Sequence, residues 1–168
     1  MTELPRNATV LDTCVLSNFA HVDEIELLLD LPRVVTVDAV HTELADGIET
    51  HPYLGNALDA LGTDIPVVTP TQQAEQLETE LLKTLDPGEA QALAVTETTA
   101  GTIITDDGDA RATAERRGVP LTGSIGLLVR FVEAEQISAA TADEYLKRWI
   151  DEAGFHSPAR DFHVFLED

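Results

Sequence analysis

The chain has 168 residues, 43% hydrophobic but only 5% aromatic, and 31 acidic residues face 10 basic ones for a formal net charge of −21. It shows no apolar run near the roughly 18 residues of a membrane span and no signal peptide. A single cysteine, Cys14, excludes an internal disulfide or a thiolate zinc set. The expectation is a soluble, cytoplasmic protein that folds as one domain over residues 1–168. The carboxylates are spread along the chain and interleaved with helical apolar stripes, so the acidity belongs to a folded surface rather than a disordered tail. Salt screens such self-repulsion, which points to a halophile's cytoplasm.

In chain order, Ala8 to Leu11 reads as a first strand with Asp12 and Thr13 at its end, followed by a helical pattern from Val15. His21 to Asp30 has helical spacing and stops at Pro32; Arg33 to Val37, rich in β-branched residues, is a second strand. Asp38 is expected to cap a helix whose apolar face is Val40, Leu44 and Ile48, and Glu43 on its flank reads, on its own, as an exposed helical residue. Pro52 to Gly62 is a further amphipathic piece, Ile65 to Thr69 a third strand, and Thr71 to Leu85 a helix with Glu75, Glu78 and Glu80 on a solvated face. Asp86-Pro87-Gly88-Glu89 carries the signature of a helix start, in which Glu89 at N3 reaches back to the backbone in a capping box.

The helix from Ala90 to Thr99 leads to a strand at Thr102 to Thr105 that runs straight into Asp106, Asp107 and Asp109. Either Asp107 or Asp109 suits the N-cap of the next helix, Arg111 to Arg117. Val119 to Thr122 is a fifth strand, Gly123 to Glu135 a helix with Leu127, Leu128, Phe131 and Val132 on its core face, and Ser138 to Ala153 a final helix. The tail to Asp168 is too apolar to float free. Strands alternating with helices predict a three-layer α/β/α fold around a parallel sheet of about five strands, whose carboxyl ends gather Asp12 and Asp107, with Glu43 and Glu89 on adjacent helix starts.

Four acids converging without a charge-balancing lysine would repel one another unless a cation sat among them. Carboxylates and water are the ligands of Mg²⁺ or Mn²⁺, and such ions support phosphoryl chemistry. His21, His41, His51, His156 and His163 lack metal spacing.

The order Asp12-Thr13, Glu43 in VHTEL, Gly88-Glu89-Ala90, and Thr105-Asp106-Asp107 with Arg111 four residues on resembles the PIN-domain family over nearly the whole chain. The nearest likeness is to the branch with GEA before the third acid, DD and a following Arg at the fourth, and a helix start like Thr122 to Leu128. The resemblance implies a metal-dependent ribonuclease that cuts single-stranded RNA, of the VapC-like kind that serves as the toxin of a toxin–antitoxin pair. It implies an antitoxin protein and a second copy of the chain as partners. Carried over, Asp12, Glu43, Glu89 and Asp107 match the catalytic acids. Asp12, Glu89, Asp106, Asp107 and Asp109 match candidate ligands for Mg²⁺ or Mn²⁺, and Thr13 and Arg111 match substrate contacts. Glu89 stands where the family more often has Asp.

Two other readings compete. A PIN-like module could bind RNA or protein without cutting. A haloacid-dehalogenase-type phosphatase would need an Asp where Cys14 stands and a lysine near a strand end, whereas Lys83 lies in a helix. The net charge runs against the basic footprint usual in nucleic-acid binders, leaving metals and a few arginines, Arg111, Arg116 and Arg117, to hold substrate.

Overall fold

The computed structural model describes residues 4–166, so the first three residues and the end of the apolar tail, Glu167 and Asp168, lie outside it. The β-branched runs form five short strands: β1 (Thr9–Leu11), β2 (Val34–Val37), β3 (Val67–Val68), β4 (Thr102–Ile104) and β5 (Leu121–Thr122). All pair in parallel, in the order β3-β2-β1-β4-β5, with Val10 opposite Val35 on one side and Ile103 on the other. Val10, Val35 and Ile103 are buried, because strands covered on both faces have no solvent side to alternate with. The chain therefore steps outward from β1 to β2 and β3, returns beside β1 as β4, and steps the other way to β5. Between β1 and β4 the winding reverses, and there the connections leaving the two carboxyl ends part and open a crevice.

The helices are α1 (Thr13–His21), α2 (Ile25–Leu29), α3 (Asp38–Gly47), α4 (Gly55–Ala60), α5 (Gln72–Leu81), α6 (Pro87–Thr98), α7 (Gly108–Arg116), α8 (Ser124–Glu133) and α9 (Ala139–Ala153). Helix α6 packs on β1, β2 and β4. Its alanines allow close approach, and Ala90, Ala92, Leu93, Ala94 and Val95 are all fully buried, so it lacks the single apolar stripe of a surface helix. Another helical group closes on aromatic side chains. Phe19 of α1 meets Phe131 of α8 and Trp149 of α9 edge-on, at 5.9 and 5.3 Å between ring centres, and the Trp149 indole donates to the Asn18 carbonyl at 2.7 Å. The three-layer α/β/α architecture is thus as expected.

Several local expectations change. His21 to Asp30 is not one helix: α1 runs on to His21, the backbone turns left-handed at Asp23, and α2 holds only Ile25–Leu29. Asp38 is the first residue of α3 rather than its cap. The position before it is Val37, and the Ala39 N–H is satisfied by Gln91 Oε1 at 2.8 Å from α6. Helix α5 ends at Leu81, four residues early, after Thr71 has capped it. Within the tail, Phe162 is fully buried and Phe165 and Leu166 pack against the core.

Candidate active site

Residue Asp12 leaves β1 at the point where the winding reverses. Its N–H donates to Ile104 O on β4 at 3.0 Å, Oδ1 accepts from Thr13 N at 2.8 Å, and Oδ2 accepts from Thr105 Oγ1 at 2.7 Å. It therefore caps α1 and also stands at the sheet edge, only 3% exposed. Burial pushes its pKa up to about 6, against the pull of the Thr105 and Thr13 hydrogen bonds, and the Glu43 and Asp86 charges add to the rise.

Beside it opens a cavity of about 260 Å³, into which Asp12, Glu43, Asp86, Glu89 and Asp107 all project, together with Thr13, and which no Lys or Arg lines. Glu43 comes from the middle of α3, not from a helix start, and it is half-buried rather than the exposed residue its flank position suggested. Its Oε1 accepts from Gly88 N at 3.0 Å. A Cβ at residue 88 would collide with that carboxylate, so the glycine of the GEA triplet is what leaves room for Glu43 against the start of α6. Burial raises the Glu43 pKa.

Glu89 departs from the expected capping box. Asp86 caps α6 through the Glu89 N–H at 2.9 Å, but no reciprocal bond from the Asp86 N–H to the Glu89 carboxylate exists among the described residues. The side chain faces Asp86 and the cavity instead. Burial, then Asp86, Asp107 and Asp12, push its pKa up to about 9. Asp107 caps α7, its Oδ2 accepting from Ala110 N at 2.9 Å, and its own N–H donates to Thr105 Oγ1 at 3.1 Å.

Three sequence candidates lie outside this cavity. Asp109 is exposed in the first turn of α7. Asp106 turns to the other side of β4, where Oδ1 accepts from Ser124 N at 2.7 Å, and Oδ2 accepts from Ser124 Oγ and from Asn18 Nδ2 at 3.2 Å. Burial raises its pKa against these bonds. It latches β4 to the start of α8, and a Cβ at Gly123 would strike both it and Arg111. The guanidinium of Arg111 donates to the Thr105 carbonyl at 3.0 Å beside Asp106 and bolsters the loop from behind. Cys14 accepts from Asp106 N at 3.2 Å, and burial pushes its thiol up to about 12, so it is inert.

Sequence reasoning passed over Asp86, taken only as a cap, and Asn18 and Ser124, which orient Asp106. Asn18 is buried. A polar residue on the buried face of α1 was the available signal.

The residues fit a hard divalent cation. The donors are all oxygens, three acids (Asp12, Glu43 and Glu89) are pushed toward protonation, and Thr13 Oγ1 is buried with no hydrogen-bond partner, facing Glu43 outside bonding geometry. No three of these acids have donor atoms within 4.8 Å of one another; among the described residues the set that does is Asp143, Asp161 and His163. That set is internally paired. Asp143 accepts from Lys147 at 2.6 Å and from Phe162 N at 2.9 Å, while Asp161 accepts from His163 N at 2.9 Å, so it fastens the tail to α9.

The carboxylates are thus collected where the winding of the parallel sheet reverses, the place where open α/β sheets bind their ligands. The family model that matches, over residues 8–167, is that of the PIN domain, and the chain belongs to that family. PIN domains are generally nucleases that use divalent metals. No curated protein and no solved structure matches the chain.

Proposed function

We propose that this PIN domain is a Mg²⁺- or Mn²⁺-dependent endoribonuclease that cuts single-stranded RNA, with Asp12, Glu43, Glu89 and Asp107 as its catalytic acids. The observation that carries the reading is the convergence of five carboxylates on one small cavity without a single cation. Asp12, Glu89 and Asp107 are the proposed ligands, and a bound ion would supply a hydroxide-like nucleophile and stabilise the leaving oxygen. Thr105 holds the Asp12 carboxylate in place and favours its ionised form. Glu43, anchored by the Gly88 N–H, keeps its second oxygen for water or substrate. Thr13, in the wall of the same cavity, is the proposed substrate contact.

Arg111 is proposed to act by positioning the Asp106–Asp107 loop rather than by touching RNA. In the same reading the protein is a cytoplasmic, halophilic toxin, homodimeric, with an antitoxin partner; among the described residues no helix is long and apolar enough to cross a membrane. The test is cleavage of a labelled single-stranded RNA in molar KCl with Mn²⁺, against chelator and a DNA of the same sequence. Cleavage that persists after chelation, or is absent with both metals, rejects it. One observation favours a PIN module that binds without cutting: no three cavity acids close to within 4.8 Å. RNA binding with no cleavage by the wild type would select that reading. A small neighbouring gene for a DNA-binding protein would support the toxin role.

A further inference from the structure

At the opposite, amino-terminal end of the sheet lies a second cavity, of about 500 Å³, within the range of small-ligand sites. Its walls come from the residues that enter β1, β2, β4 and β5, from Ile104 and Thr122 at the far ends of β4 and β5, and from Gly126, Leu127 and Arg130 of α8. Its charge is opposite to that of the rest of the molecule. No Asp or Glu lines it, although the chain has 31 of them, while Arg33 and Arg130 both do.

Neither arginine has a carboxylate partner among the described residues, a state they share with Arg6, Arg111 and Arg116. Lys83, Arg117, Lys147, Arg148 and Arg160 are each paired with a carboxylate. The Arg33 side chain makes only a bond from Nε to the Asn7 carbonyl at 3.0 Å, and the Arg130 guanidinium has no hydrogen-bond partner among the described residues. The Thr102 and Thr122 hydroxyls, also in the lining, are likewise without one. In a protein of net charge −21, two exposed guanidiniums without carboxylate partners thus line one hollow that no acid lines. Guanidinium forks suit phosphate oxygens, and the remaining wall, including Pro32, Ile104, Pro120 and Leu127, is apolar and suits a flat ring.

We propose that this cavity binds a free mononucleotide, its phosphate between Arg33 and Arg130 and its base against the apolar wall. The site is separate from the carboxylate cavity and does not depend on the nuclease reading. The probe is AMP, titrated calorimetrically into the wild-type chain in high-salt buffer containing chelator, with adenosine and inorganic phosphate as partial ligands. AMP should bind at least tenfold more tightly than either part. Arg130→Gln, at an exposed position without hydrogen bonds, should weaken AMP at least tenfold with an unchanged melting temperature, and Asp12→Asn should bind AMP as the wild type does. The proposal is overturned if AMP does not bind, if phosphate alone binds as tightly, if Arg130→Gln binds AMP normally, or if Asp12→Asn abolishes binding.

Discussion

Thr105 Oγ1 donates to Asp12 Oδ2 at 2.7 Å and accepts from Asp107 N at 3.1 Å, so one hydroxyl ties the acids that end β1 and β4 to each other. Thr105 is fully buried. Thr105→Val keeps the shape and removes both bonds, leaving a buried acceptor and a buried N–H with nothing to pair. A loss of stability of about 1–3 kcal/mol is expected, and, because the lost bond favoured ionised Asp12, Mn²⁺ binding should shift to higher pH. Urea unfolding and a Mn²⁺ titration at several pH values would check both.

The metal-free protein should lose stability as pH rises. The Asp12 pKa is raised from 3.8 to about 6 and that of Glu89 from 4.5 to about 9. Between each pair of values the folded state holds more protons than the unfolded one, so the slope of stability against pH is negative. No penalty exists below about pH 4; it grows to about pH 6 for Asp12 and continues toward pH 9 for Glu89. For buried Asp12 it is on the order of 3 kcal/mol. Mn²⁺ should therefore raise the melting temperature more at pH 8 than at pH 5, and Asp12→Asn should flatten the apo profile between pH 4 and 6.

Adjacent acids should respond oppositely to the same change. Asp107→Asn keeps the cap of α7, since Asn caps as well as Asp, so it should fold normally and lose cleavage. Asp106→Asn presents an amide to donors from Ser124 and Asn18 and should cost about 2–3 kcal/mol. Asp109→Asn, at an exposed position, should do neither. Thermal melts beside RNA cleavage separate the three.

Gly88→Ala should displace Glu43, whose Oε1 lies where the new Cβ would stand. Weakened cleavage with some loss of stability is expected. In a Glu43→Ala background the obstacle is gone, and the same change should stabilise by about 0.5–1 kcal/mol through helix propensity. A double-mutant cycle with coupling under about 0.5 kcal/mol would show that the two residues do not compete for space.

Since the capping box at α6 is only half made, Glu89→Gln should not cost a cap contact. It should leave the apo protein at least as stable, because an amide avoids the burial and Asp86 effects that disfavour an ionised Glu89, and weaken Mn²⁺ binding. Differential scanning fluorimetry with and without Mn²⁺ reads both.

Much of the fold follows from local chemistry. The apolar and β-branched runs before Asp12, Asp38 and Asp106 need shelter on both faces, and the alternation with amphipathic helices leaves little choice but a parallel sheet. Motif order brought Asp12, Glu89 and Asp107 forward because each follows a strand or opens a helix, and such positions share one edge of a parallel sheet. What tertiary structure alone decided was direction. Asp106 and Asp107 are neighbours, yet at a strand end successive side chains face opposite ways, and only the place of Ser124 on α8 shows which one enters the cavity. Glu43 looked exposed because its own helix gives it no partner; the partner, Gly88, lies 45 residues away. For Glu89 the local pattern favoured a cap, but side-chain direction depends on charges from other elements, which spacing along one helix does not carry.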